Sequence, residues 1–591
     1  MTEEFSVGQR AAMSERLQSQ TLDLLVIGGG VTGAGILLDA VSRRMKPGLV
    51  EMQDFAAGTS SRSTKLVHGG LRYLKQFDID LVAEVGRERA IVYENAPHVT
   101  TPLWMLLPII KRGTYGMFMS AVGLYVYDRL AEVRHEERRK MLSRTEALEK
   151  EPLLRSDDLK GAGYYVEYRT DDARLTLEIM KEAVARGATA VNYTKAEQLL
   201  YDPAGKVIGA RMHDLVTDTH YDVHALKVIN ATGPWVDELR EQDGSKNEKT
   251  MHLTKGVHIV VDASRFPLRN PVYYDVPDGR MVFAIPRAGK TYVGTTDTNF
   301  HGDVRSPRTT KADRDYLIDC VNTMFPSVAL TGDDVESFWA GVRPLIHEQG
   351  KGPSEISRRD EVFVSPSGLL TIAGGKLTGY RVMADKVVSM AARQLAEETG
   401  VDFGRCQTEK IELSGGKFGG SQNMADYLTQ QVEVGVSLGL TRDEARKLAE
   451  RYGTNVPEVW EVLMRAGDGA ASEAQDCEDE APEDQVSVDQ DCEGTVSERP
   501  ASEDEACGEL SKEVYAALVY GINHEMVVTP SDFFIRRTAA MFFDIAWVHQ
   551  WKVPVIRCMA KFYGWSEEVT RKMQHELEEH IVEATEVIES E

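Results

Sequence analysis

Gly28, Gly30 and Gly33 stand in the spacing G-x-G-x-x-G directly after the apolar run Leu24-Leu25-Val26-Ile27, an arrangement suited to holding a dinucleotide. Gly28 permits the tight turn, Gly30 lets the backbone approach a pyrophosphate, and Gly33 lets strand and helix pack closely. The anion then meets the N-terminus of the helix expected from Ala34 to Arg44, whose unpaired N–H groups and dipole favour negative charge. Glu51 closes the next apolar stretch, Leu49-Val50, where it can accept hydrogen bonds from a ribose hydroxyl. Further on, the chain offers five cations, Arg72 after His68-Gly69-Gly70, Arg343 before Pro344, Arg359, Lys376 after Gly374-Gly375, and Arg381, four of them at glycine- or proline-marked turns or in loops. Such positions project functional groups from a scaffold, and an acidic chain has little other reason to gather arginine there. His258 lies within the largely apolar stretch Thr254 to Val261 and is an imidazole that titrates near neutrality.

These residues need a scaffold, and the pattern supplies an α/β one. A second strand ends at Asn230-Ala231-Thr232-Gly233, and a third runs Leu369 to Gly375 and leads into a helix from Tyr380 to Glu397. Strands that return hundreds of residues after the glycine motif imply one nucleotide-binding domain interrupted by insertions. The stretch around His258 reads as a strand leading into the inserted domain. Residues 438–467 and 509–591 alternate charged and apolar positions at helical spacing, which predicts an all-helical C-terminal domain. The expected division is an N-terminal extension over 1–20, interleaved domains over 21–395, and the helical domain over 396–591. Within 21–395 the nucleotide-binding segments are 21–75, 160–240 and 340–395, and the inserted segments are 76–159 and 241–339.

Composition bounds the function. The chain has 591 residues, with 68 Lys+Arg against 93 Asp+Glu and a net charge of −25, so phosphate-backbone binding to nucleic acid is disfavoured. Residues 467–510 hold sixteen Asp/Glu and one basic residue, Arg499, and no aromatics; self-repulsion and poor burial predict a disordered insert. No DxDxDG spacing supports calcium there. The six cysteines fall in no CxxC spacing, so no metal site is expected and the thiols are expected to be reduced in a cytoplasmic protein. No stretch reaches the length of a membrane span. Gly116 to Tyr127 is the nearest, and reads either as a buried helix between lobes or as a monotopic membrane contact.

Four motifs carry a family resemblance: Thr59-Ser60-Ser61-Arg62-Ser63-Thr64-Lys65-Leu66 with the following Val67 to Tyr73, Gly341 to Leu345, Gly374 to Arg381, and Asp532 to Thr538. In this order, from about residue 20 to the C-terminus, the chain resembles the aerobic FAD-dependent glycerol-3-phosphate dehydrogenases. The acidic segment 467–510 departs from that pattern.

The resemblance implies a FAD-binding Rossmann-like (glutathione-reductase-like) domain, an interleaved α+β substrate domain and the helical C-terminal domain. It implies FAD held by Gly28, Gly30, Gly33, Glu51, Thr59, Ser60, Ser61, Thr64, Lys65, Leu66, Ala231, Thr232, Gly233, Gly374, Gly375, Lys376 and Thr378. Arg72, Tyr73, His258, Arg343 and Lys376 match substrate-contacting positions, with Arg359 a neighbour counted with His258 and Arg343 as catalytic. The implied reaction oxidises sn-glycerol 3-phosphate to dihydroxyacetone phosphate and passes electrons to membrane quinone, in a homodimer peripherally bound at the cytoplasmic face of the membrane. His258 is the favoured base for the hydroxyl proton, while Arg343 could stabilise the developing alkoxide. Three alternatives stay open: an oxidase using O₂ and releasing H₂O₂, an amine or amino-acid oxidase of the same fold, and a non-catalytic flavin-binding module. Arg536 and Arg537, amid aromatics, suggest a salt bridge between domains.

Overall fold

The computed structural model describes residues 5–67, 79–111, 124, 137–348, 360–374, 376–476 and 507–590, without the side chains of 79–81 and 467–476. Arg72, Tyr73, Arg359, Gly375, nearly all of the 116–127 stretch and most of the acidic insert therefore lie outside the described residues.

An N-terminal helix, α1 (Arg10–Ser19), docks on the body where the sequence suggested only an extension: the Arg10 guanidinium donates to Asp214 Oδ2 at 2.7 Å and to the Asn192 carbonyl at 2.8 Å. The chain then builds an eight-stranded sheet from β1 (Thr21–Ile27), β2 (Pro47–Val50), β3 (Thr189–Val191), β4 (Thr194–Tyr201), β5 (Val207–Asp214) and β6 (Thr219–Asn230). It leaves for a ten-stranded sheet containing β7 (Lys249–Asp262), β8 (Lys290–Gly294) and β9 (Val335–Glu348), and returns with β10 (Glu361–Val364) and β11 (Leu370–Ala373). The first sheet has the order β10-β11-β6-β1-β2-β3, with β11, β6, β1, β2 and β3 parallel and β10 antiparallel at the edge. The unbroken apolar run of β1 follows from this position, because a central parallel strand is covered on both faces.

The helix after β1, α2 (Val31–Ser42), packs on this sheet with α3 (Asp172–Ala185). Helix α4 (Lys311–Met324) covers the second sheet, and α5 (Tyr380–Thr399) closes against α2 where Gly35 leaves room for the Tyr380 ring. Two expected boundaries move. Strand Leu159–Thr170 and β9 hydrogen-bond in the second sheet, although the sequence put 160–240 and 340–395 in the nucleotide-binding segments. The physical reason is pairing: Leu159–Thr170 ladders with Thr100–Ile110, and β9 runs antiparallel along the whole of β7.

The C-terminal region is helical, with helices at Met424–Ser437, Arg442–Tyr452, Val456–Asp476, Lys512–His524, Ile545–Tyr563 and Glu567–Thr585. Helix Val456–Asp476 continues into the segment expected to be disordered from 467, so that expectation is corrected at its start. Its apolar stripe over Val456, Val459, Trp460 and Leu463 is anchored in the helical core, and the helix carries on from that anchor. The expectation of reduced thiols is corrected at one pair. Cys507 and Cys558 form a disulfide, with Cα atoms 4.9 Å apart across a sequence separation of 51 that no local motif marks. Among the described residues, Cys320 and Cys406 are free.

Candidate active site

A cavity of about 380 Å³ opens where β1 meets α2 and runs between the ends of the first sheet and the loop 51–63. Gly28 forms its floor with φ +116°, a conformation L side chains rarely adopt; a Cβ there would stand 2.6 Å from the Ala231 carbonyl oxygen. Gly33 has even less room, since its Cβ would meet the Gly28 carbonyl at 1.9 Å. Gly30 is different: it is the N-cap of α2, lines the cavity and faces Ser60 Oγ. That hydroxyl accepts from Val31 N at 2.9 Å and so holds the 59–61 turn against the helix N-terminus.

Glu51 sits at the end of β2 with both carboxylate oxygens fixed. Oε2 accepts from Gly29 N at 2.6 Å and Oε1 from Gln53 N at 2.8 Å, which aims the group along the cavity wall with lone pairs to spare for a diol. Burial raises its pKa above the ordinary carboxylate value in spite of these bonds. On one side of Glu51 the wall continues through Thr194 to Glu197 on β4; on the other it passes Thr59, Ser60 and Ser63 to Pro344, Gly374 and Lys376. Ala231, Thr232 and Gly233 line it from the end of β6. An elongated cleft with a helix N-terminus in the middle and a carboxylate to one side fits a dinucleotide, and the glycine cradle fits a pyrophosphate.

Not every residue of the 59–66 segment faces that cleft. Lys65 is buried, donating to Asp172 Oδ1 at 2.6 Å and to the Ser61 carbonyl at 2.9 Å, with Trp339 and Phe542 rings beneath it. Ser61 is buried and Leu66 belongs to the hydrophobic core. These side chains hold the segment in place. Thr378 is buried in the turn before α5.

Beyond the cavity, the segment 59–64 lies across β9: Thr59 Oγ1 donates to the Val342 carbonyl at 2.7 Å and Trp339 Nε1 donates to the Ser63 carbonyl at 3.1 Å. The antiparallel register pairs Thr254 with Arg343, Gly256 with Gly341 and His258 with Trp339, so all six residues share one face. Glycine makes this face passable. A Cβ at Gly256 would lie 2.3 Å from Arg343 Nη2, and one at Gly341 would lie 2.4 Å from the Arg62 carbonyl oxygen. The guanidinium of Arg343 therefore lies over Gly256, donating to Thr295 Oγ1 at 3.0 Å and to the Thr296 carbonyl at 3.3 Å, with Asp297 at 3.5 Å.

His258 is 1% exposed, stacked on Trp339 with ring centroids 4.6 Å apart, and its Nε2 is 3.0 Å from Thr64 Oγ1. Gly294 on β8 leaves the space the ring fills, since a Cβ there would be 2.1 Å from His258 Cδ2. Burial, with the Arg343 and Lys65 cations nearby, holds the His258 pKa well below the ordinary imidazole value, so the ring is neutral at pH 7. A neutral imidazole beside a guanidinium can take a proton while the cation stabilises the anion left behind.

Several contributors escaped the sequence reading: the β4 wall, Thr295 to Asp297, Gly256, and Arg62, whose pKa burial lowers against the opposing charge of Glu583. The polar run Thr295-Thr296-Asp297 after the apolar β8 was the one available signal. The expected salt bridge at Arg536 and Arg537 is present: both donate to Asp54, three residues past Glu51. Arg381 is bound to Glu88 through two guanidinium nitrogens.

Residues 23–381 match the family described as FAD dependent oxidoreductase, and residues 406–570 match the C-terminal domain of alpha-glycerophosphate oxidase. The chain is 53% identical to an aerobic glycerol-3-phosphate dehydrogenase of Bacillus subtilis (strain 168), covering 97% of each chain. It is 51% identical to one of Staphylococcus aureus (strain USA300), covering 98% of each. Its fold is similar to the crystal structure of the glycerol-3-phosphate dehydrogenase from Bacillus halodurans complexed with FAD, with a TM-score of 0.79, 49% identity and 98% of each chain covered.

Proposed function

The chain belongs to the aerobic glycerol-3-phosphate dehydrogenases, a family of FAD-dependent oxidoreductases, and from that membership we propose that it binds FAD in the β1–α2 cavity and oxidises sn-glycerol 3-phosphate to dihydroxyacetone phosphate. We further propose that the electrons pass to a membrane quinone. Family membership sets aside the amine-oxidase and non-catalytic alternatives.

FAD, when bound, supplies the hydride acceptor at flavin N5. Gly28, Gly30, Gly33 and the N-terminus of α2 would hold its pyrophosphate, Glu51 its ribose, and Thr59, Ser60, Gly374 and Lys376 the flavin end. The observation that carries the reading is the Arg343 guanidinium laid over Gly256 beside neutral His258, within a face that the 59–64 segment joins to the cavity. Arg343 and Lys376, with Arg72, Tyr73 and Arg359 from outside the described residues, would bind the phosphate dianion and orient C2. As the hydride leaves C2, the hydroxyl proton goes to His258 Nε2, the nitrogen facing Thr64, and Arg343 offsets the charge developing on oxygen.

Anaerobic addition of glycerol 3-phosphate to the purified enzyme tests the reading: bleaching of the flavin absorbance at 1:1 stoichiometry is expected, and no bleaching overturns it. Turnover with a quinone analogue against O₂ then separates dehydrogenase from oxidase, and faster O₂ reduction with H₂O₂ release assigns the latter. No helix among the described residues is long and apolar enough to cross a membrane, and peripheral contact at the cytoplasmic face is proposed for quinone access. Liposome flotation tests that contact, and sedimentation tests the proposed homodimer.

A further inference from the structure

The β4–β5–β6 extension of the first sheet carries a side-chain cluster that the proposed reaction does not use. His213 on β5 and His220 on β6 are cross-strand partners, their rings stacked with centroids 4.2 Å apart. Glu197 on β4 falls where the β4–β5 register slips between Ala196 and Gln198, an irregularity of the kind that re-aims a side chain. Its carboxylate lies 3.4 Å from His213 Nδ1 and 3.3 Å from His220 Nε2, and one ligand atom from each of the three residues falls within 4.8 Å of the others. Asp218, from the turn joining β5 to β6, lies 2.7 Å from His213 Nε2. That contact fits a proton on Nε2, which leaves the lone pair on Nδ1, facing Glu197. A carboxylate behind a histidine in this way is the arrangement that orients metal-binding imidazoles.

We propose that Glu197, His213 and His220 form a binding site for a divalent transition-metal ion of the zinc class. Two imidazoles and one carboxylate suit zinc and its neighbours, whereas magnesium and calcium prefer all-oxygen shells. Three protein ligands leave coordination positions for water. All three side chains are reachable from solvent, and the acidic chain raises the local concentration of cations. The second grouping of this kind among the described residues, Asp39, Asp385 and Cys406, is different. There the Arg43 guanidinium already bonds Asp39 at 2.6 Å and Asp385 at 2.8 Å, filling the place of a cation. At Glu197 the ion would tie β4 to the β5–β6 hairpin, and so brace the wall from Thr194 to Glu197 that lines the cavity. The site stands on its own geometry, independent of the dehydrogenase reading.

The test is calorimetric titration of the chelator-treated, desalted full-length protein with zinc sulfate, and separately with magnesium chloride. One saturable zinc equivalent is expected, with no magnesium binding. His213→Ala and His220→Ala should each weaken zinc binding at least tenfold, and Asp218→Asn about 10- to 100-fold through loss of the orienting carboxylate. Zinc should raise the Tm of the wild type and leave that of the two alanine variants unchanged. Affinity should fall as pH drops, because protons compete with the metal for the imidazole nitrogens of His213 and His220. Zinc binding of equal strength in the alanine variants, no saturable binding by the wild type, or anomalous zinc density located away from these three side chains would overturn the proposal.

Discussion

Asp54 and Arg537, 483 residues apart in sequence, form an ion pair with neither side chain exposed: Arg537 Nη2 donates to Asp54 Oδ1 at 2.9 Å. Arg536 donates to the same carboxylate, and Arg537 also reaches the Glu525 carbonyl at 2.6 Å. The helical domain is thereby fastened to the loop after β2, the same loop that carries Glu51 and leads to Ser60. Docking of the C-terminal domain and the shape of the cavity wall are one structural event.

Removing this carboxylate takes the shared anion from two buried guanidinium groups, leaving Arg536 with Asp532 and Arg537 with the Glu525 carbonyl. Asp54→Asn should cost about 3–5 kcal/mol, read as a lower Tm, with weakened flavin retention because the 51–60 loop loses its anchor. Burial alone would raise the pKa of Asp54, but the charges of Arg537 and Arg536 outweigh it and hold the value below the ordinary one. The pair's stabilisation is therefore complete above about pH 4, the unfolded value, and is lost as pH falls through the lower folded value. The acid-side decline of Tm should be shallower in Asp54→Asn than in the wild type; identical curves would show that the pair contributes nothing.

The glycine motif separates two effects. Gly30 has an extended backbone with φ −77°, which any residue adopts, and faces only Ser60 Oγ. Gly30→Val should fold yet lose FAD, as measured by flavin released on denaturation per mole of chain. Gly33→Ala should instead impair folding, since its Cβ collides with the Gly28 carbonyl. Full flavin content in Gly30→Val would place the pyrophosphate elsewhere.

Arg343 and Gly256 make a matched pair of tests. Arg343→Lys keeps the charge and loses the fork, and should lower kcat/KM by roughly 10²-fold or more. A rise in KM alone assigns it to the ground-state phosphate; a parallel fall in kcat and kcat/KM assigns it to the alkoxide. Gly256→Ala pushes the guanidinium off its seat without altering its chemistry, so it should reproduce the Arg343→Lys defect with flavin content unchanged. Wild-type kinetics in both variants would remove Arg343 from the site.

The buried, neutral state of His258 sets a pH expectation. With a folded pKa well below the ordinary 6.5, the ring stays an available base as pH falls, so the acid limb of kcat/KM should lie below pH 6.5. Stability follows the same sign: it is fully present above 6.5 and declines below, because the unfolded chain takes up a proton that the folded ring refuses. His258→Gln should lower kcat and abolish that limb. An unshifted limb near pH 6.5 that survives in His258→Gln would point to another base.

How much of this was legible in the sequence depends on how far apart the cooperating residues lie. Gly28, Gly30, Gly33 and Glu51 act within one strand-turn-helix-strand unit, so their spacing carries their geometry, and the parallel strands ending at Asn230 and Ala373 announce themselves by mostly apolar runs that end in small residues. Residues 72, 258, 343 and 376 were selected by resemblance and by the oddity of cations at glycine turns. Nothing local says that Arg343 lies over Gly256, because that follows from the register of β7 against β9, some ninety positions apart.

Tertiary structure alone decided the rest. It paired Asp54 with Arg537, Cys507 with Cys558, and Glu197 with His213 and His220, and it turned Lys65 inward to Asp172 although Ser60 and Ser63 of the same segment line the cavity. Side-chain type and spacing record what a residue can do and which face of its own element it occupies. Which other element meets that face depends on sheet order, register and domain docking, and these are set by burial summed over the whole chain.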